Sequence, residues 1–228
     1  MHKSLLGASL FALALSASLV AQAHEAGDII VRAGAAVVAP NEDSGNLKFD
    51  GVKASGTKAT LDSDTQLGLA VAYMLTNHFG IELLAATPFN HNVGVKGLSP
   101  ALDGKLGNIK QLPPTLSLQY YPLDMASKFQ PYVGVGLNYT AFFGGDLTSE
   151  RKNEGFSNLK VKDSVGIAGQ LGADYMLTDR VMLNASVWYI DMSTKATVNG
   201  PSALGIGQTK VSLDVDPWVY MVGLGYKF

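Results

Sequence analysis

Pro217-Trp-Val-Tyr-Met-Val-Gly-Leu-Gly-Tyr-Lys-Phe228 is the stretch that decides the fold. Every second residue is large and apolar or aromatic (Trp218, Tyr220, Val222, Leu224, Tyr226, Phe228), and between them stand Val219, Met221, Gly223, Gly225 and Lys227. Side chains alternate sides along a strand, so this is a strand with one greasy face. A soluble sandwich also produces such alternation. Aromatic residues near both ends of the greasy face, and an aromatic last residue, point instead to a strand that crosses a membrane.

Seven further segments carry the same period, giving strands at 28–38, 65–75, 79–89, 114–121, 131–143, 164–176, 181–192 and 212–228. Each is about as long as a tilted membrane strand. Short turns at 76–78 and 177–180 and a medium one at 122–130 alternate with long polar stretches at 39–64, 90–113, 144–163 and 193–211. If the first strand rises, Tyr73, Phe79, Tyr120, Tyr175, Tyr226 and Phe228 fall at the lower end of the greasy face. Phe89, Tyr139, Tyr189 and Trp218 then fall toward the upper end. Amphipathic rings prefer a membrane interface, whereas a soluble core has no reason to sort its aromatics into two belts. An open sheet edge in hydrocarbon would leave amides unpaired, so the sheet must close. The reading is an all-β protein, an eight-stranded antiparallel transmembrane β-barrel with short lower turns and four long extracellular loops.

Residues 1–23 read as a cleaved secretory signal: a basic start at His2 and Lys3, an apolar run to Val20, and the small-x-small site Ala21-Gln-Ala23. The single mature domain then spans 24–228. The formal charge is −2, and losing Lys3 with the signal makes it −3, which gives no footing for nucleic acid. The absence of cysteine excludes thiol chemistry and disulfides.

Several long motifs are similar to the OmpW family of small outer-membrane barrels: Gly80-Ile-Glu-Leu-Leu-Ala-Ala-Thr-Pro-Phe89, Leu112-Pro-Pro-Thr115, Lys128-Phe-Gln-Pro-Tyr-Val-Gly-Val-Gly-Leu-Asn-Tyr139, Ser186-Val-Trp-Tyr189 and Asp216-Pro-Trp218. The resemblance runs along essentially the whole mature chain and is weakest in the loops after Ala39 and Ser193. It implies a barrel in the Gram-negative outer membrane with an unusually apolar lumen that helps small hydrophobic molecules across.

An eight-stranded barrel is wide enough only to be filled by its own side chains or to hold one small ligand. Low in the lumen the alternation places Arg32, Glu82, Asp174 and Lys227, expected to form an ion-paired plug; higher up stand Leu84, Ala86, Trp188 and Ile190, expected to form an apolar constriction. With the bottom plugged, cargo would leave sideways. Pro88, Pro113 and Pro114 cannot donate to the ladder and would weaken pairing at one height. Expected partners are the surrounding outer-membrane lipid and lipopolysaccharide, the hydrophobic cargo, and the outer-membrane assembly machinery, for which Phe228 is the candidate signal. No pattern suggests a cofactor or a metal site. Two rivals stand beside the conduit. An enzyme would use His91 with Ser99 and Asp103 at the upper rim. A structural, adhesive or receptor barrel would act through its loops; it predicts a lumen packed with polar side chains, where the conduit predicts an apolar cavity open at the top.

Overall fold

The computed structural model describes residues 23–100, 102–201 and 207–228, so all but the last residue of the expected signal lies outside the described residues. The strands are β1 (Ile29–Ala39), β2 (Asp43–Ser44), β3 (Lys48–Phe49), β4 (Val52–Lys53), β5 (Lys58–Leu61), β6 (Asp64–Met74), β7 (Phe79–Ala86), β8 (Phe89–Lys96), β9 (Gly104–Leu112), β10 (Thr115–Tyr120), β11 (Phe129–Leu147), β12 (Ser157–Val161), β13 (Ser164–Met176), β14 (Val181–Asp191), β15 (Ser193–Asn199), β16 (Gln208–Asp214) and β17 (Trp218–Lys227). One short helix, α1 (Ser149–Asn153), is capped by Thr148, whose hydroxyl accepts from the Arg151 amide.

Eight of these strands, in the order β1, β6, β7, β10, β11, β13, β14, β17, close on themselves. The seam is the antiparallel β1–β17 pair, in register from Ile30 opposite Lys227 to Ala39 opposite Trp218. It continues to the last residue, where the Phe228 amide donates to the Ile29 carbonyl at 2.9 Å. Closure leaves no edge, as a hydrocarbon surrounding requires.

The outward face is the greasy one. Leu67, Val135, Leu137, Val165, Ile167, Leu171 and Val222 are each about 60–70% exposed, a pattern that water would penalise and lipid favours. Phe79 packs on Tyr120 and Tyr226 on Phe228 in the lower belt, and Tyr189 on Trp218 in the upper. Phe89 is a correction. It is 1% exposed and points inward, stacked on His91. Between the last β7–β10 pair, Leu84 with Thr115, and the first β8–β9 pair, Phe89 with Gln111, four residues on one strand face three on the other. One extra residue moves every following side chain to the opposite face.

The long connections are largely strand as well. β5, β8, β9 and the upper half of β11 form one wall above the barrel; β12, β15, β16, β3 and β4 form the other, with β2 pairing β16. The alternation is present there, with Thr194, Ala196, Val198, Val211 and Leu213 buried, but the outer face is polar, so these stretches read as loops. The interior separates into a large upper apolar cluster and a small lower one around Ile30, Met74, Tyr121 and Tyr132. Gly172 is where the lower lumen needs glycine, since a Cβ there would lie 2.3 Å from the Tyr132 ring.

Candidate functional site

The lower lumen holds a buried polar network centred on Arg32 of β1. Its Nε and Nη2 donate to the two oxygens of Asp174 on β13 at 3.0 and 2.5 Å, and its Nη1 donates to Glu82 of β7 at 2.7 Å. Nη2 also donates to the Tyr121 hydroxyl at 3.0 Å, and the guanidinium lies 5.2 Å from the centroid of the Tyr132 ring. A planar fork with five donors matches a carboxylate bidentately, which is why arginine rather than lysine suits this position. Gln170 donates to Glu82, Gln119 to Gln170, Tyr121 to Gln119, and Asn184 to both Asp174 and the Tyr132 hydroxyl. The Arg32, Glu82 and Asp174 side chains are each at most 1% exposed.

Three of the four expected plug residues therefore meet. Lys227 does not: its ammonium lies 3.5 Å from Asp28 at the lower rim. Lys227 stands opposite Ile30, whereas Arg32 faces Gly225, so the ammonium lies two residues nearer the lower strand end. His24 joins in its stead. The residues before β1 turn back under the barrel, the Gly27 amide donates to the Met74 carbonyl, and the His24 ring sits edge-on to Tyr121 with Nε2 3.0 Å from Asp174. The strand period signals Gln119, Gln170 and Asn184 as inward polar residues. Nothing in the period signals His24, because it precedes the first strand.

Above this network the lumen turns apolar. Leu84, Trp188 and Ile190 are buried in one cluster, with Ala86 packed against it, so the four residues of the expected constriction are brought together. The upper chamber is lined by apolar rather than polar groups. Apolar side chains, among them Leu47, Val93, Ile109, Leu159 and Val211, line a cavity of about 40 Å³. Trp188 Nε1 is buried and has no hydrogen-bond partner among the described residues. An unmet buried donor typically costs about 1–3 kcal/mol.

Where polar network and apolar chamber meet, the wall is interrupted. Residues 85–88 on one side and 112–114 on the other make no ladder pairs with each other, and three of these seven positions are proline. Thr87 turns its amide to Leu67 of β6 instead. On the far side the Asn138 amide holds the proline pair, donating to the carbonyls of Pro113 and Pro114 at 3.3 and 3.2 Å and to the Thr115 hydroxyl at 2.9 Å. One side of the interruption is thus pinned to β11 and the other to β6.

The candidate residues at the upper rim are engaged elsewhere. His91 is buried, with Nδ1 2.6 Å from the Asp62 carbonyl. Asp103 accepts from the backbone amides of Gly97, Leu98 and Ser99.

The profile of the OmpW family matches residues 25–228. Outer membrane protein W of Vibrio cholerae is 42% identical over the full length of both chains, and that of Escherichia coli is 44% identical, covering 90% of this chain and 91% of its own. The crystal structure of the outer membrane protein OprG from Pseudomonas aeruginosa superposes with a TM-score of 0.88 at 61% identity, covering 91% of this chain and 98% of that one. The chain belongs to the OmpW family and is a β-barrel protein of the Gram-negative outer membrane.

Proposed function

We propose that the barrel carries small hydrophobic molecules from outside into the outer membrane, through the apolar upper chamber and out sideways between β7–β8 and β9–β10. The observation that carries this reading is the interrupted ladder at Pro88, Pro113 and Pro114, placed where the apolar cluster ends and the charged network begins. A molecule with no polar groups gains nothing from the Arg32–Glu82–Asp174 network below and would have to break it to pass. The same molecule meets only apolar side chains at Leu84, Ala86, Trp188 and Ile190, and no ladder pair joins residues 85–88 to 112–114 in the adjoining wall. At about 40 Å³ the chamber is smaller than the roughly 150 Å³ that holds a benzene, so the two upper walls must part to admit cargo.

The test is Pro88→Val with the barrel reconstituted in liposomes and uptake of an apolar fluorescent probe followed in time. A restored amide donor that closes the gap with one backbone hydrogen bond strengthens it by about 0.5–1.5 kcal/mol, a slowing of roughly 2- to 10-fold. Unchanged uptake would refute lateral exit.

A further inference from the structure

The outer face of one upper wall carries six of the chain's 14 lysines. Lys53 of β4 stands opposite Lys48 of β3, which stands opposite Lys210 of β16; across β15 the same row continues through Thr197 to Lys160 of β12. Half a turn of the pleat closer to the membrane, Lys195 of β15 lies beside Lys162, whose amide donates to the Lys195 carbonyl. All six are exposed, and five of them line or adjoin a shallow groove of about 840 Å³ whose rim contains no acid. None of the six forms an ion pair among the described residues, whereas Lys58, Lys152 and Lys227 each do. Like charges directly opposite across a ladder are destabilising. A chain with a net charge of −2 that nonetheless stacks lysine on lysine across neighbouring strands has built a face for a polyanion.

Height identifies the polyanion. Lys195 is six residues along the hairpin from Tyr189 of the upper aromatic belt; at about 3.3 Å per residue and a tilt near 40°, that is roughly 15 Å above the belt. The level between is acidic: Asp191 ends β14, and Asp214 pairs with both Ser193 and Asp43. Phosphates at the lipid A level would face these aspartates. The acidic groups that reach the lysines are those of the sugars above them. We infer that this lysine face binds the phosphorylated inner-core oligosaccharide of lipopolysaccharide, and so holds a glycolipid beside one wall of the barrel.

The experiment uses the full mature barrel in detergent micelles and three titrants: rough lipopolysaccharide with a phosphorylated heptose core, the same material after phosphatase treatment, and lipopolysaccharide truncated to lipid A with its two acidic core sugars. The wild type should bind the phosphorylated core most tightly. The triple variant K48Q/K195Q/K210Q should lose that binding by on the order of 10- to 100-fold, given the roughly tenfold or smaller contribution of each lysine near an anionic surface. K96Q/K105Q/K110Q, which removes the same charge from the opposite wall, should bind as the wild type does. Without glycolipid the first triple should raise the urea midpoint, since like charges are removed, which also reports that it has folded. Equal binding by both triples, equal affinity for the truncated lipid, or binding of free heparin in preference to the phosphorylated core would overturn the inference.

Discussion

Asp174→Asn is the perturbation that separates a designed network from incidental polar filling. Asp174 is fully buried and accepts four hydrogen bonds: two from Arg32, one from Asn184, and one contact from His24 Nε2. An asparagine has one oxygen where the aspartate has two, and its amide hydrogens would point at groups that are themselves donors. Arg32 would keep its 2.7 Å bond to Glu82 and lose the bidentate pair. Breaking a buried ion pair from one side typically costs about 3–5 kcal/mol, because the remaining charge keeps its burial and loses its partner. The control is Lys58→Gln, which removes the 3.7 Å pair to Asp43 between side chains 66% and 86% exposed; such pairs contribute about 0–1 kcal/mol. Urea unfolding in a fixed detergent, followed by tryptophan fluorescence, gives both values on one scale. The Asp174 loss should also persist at 1 M salt, where screening reaches within about 3 Å but acts little on buried pairs. If Asp174→Asn costs no more than the Lys58 control, the network is not what holds the lower lumen shut.

Trp188→Ala should cost about 3–5 kcal/mol as a large-to-small core change, and if the constriction limits passage it should also speed uptake of an apolar probe; lower stability with unchanged uptake would make Trp188 core filling alone. Deleting Phe228 removes the bond to Ile29 and the ring packed on Tyr226, and should lower the amount of barrel assembled in the outer membrane more than its conduction per molecule; normal surface levels on whole-cell labelling would contradict this. The Asp103 carboxyl is held below its usual range by the backbone amides of Gly97 and Leu98. A depressed folded value means that its contribution is complete above the ordinary carboxylate range and is lost as pH falls through the folded value. Amide exchange at Gly97 and Leu98 should therefore stay protected at pH values where free carboxylates are already protonated, and rise only below them. Exchange that rises at the ordinary carboxylate pH would remove the loop's dependence on that side chain.

Period-2 alternation was enough to define a barrel, because a closed sheet between lipid and a narrow lumen imposes the same two-sided rule on every strand. Ser164–Met176 is a strand at the bounds the period predicts, and Trp218 and Tyr226 lie in the belts that the alternation assigns. The same rule brought Arg32, Glu82 and Asp174 inside. It failed wherever something other than the pleat decides position. Phe89 turned inward because one extra residue among four facing three shifts the register, and the spacing of the prolines does not say on which strand that residue falls. His24 belongs to the network because the chain before β1 folds back under the barrel, a path with no period. Lys227 found Asp28 because the register sets it opposite Ile30 and sets Gly225 opposite Arg32, so two inward residues of one pattern lie at different heights in space. The filled chamber and the lysine rows arise from pairing between segments far apart in the chain, such as Lys48 with Lys210. The local pattern determined which way each side chain faces; which residues share a height, and therefore a charge, a cavity or a partner, was decided only when the strands paired.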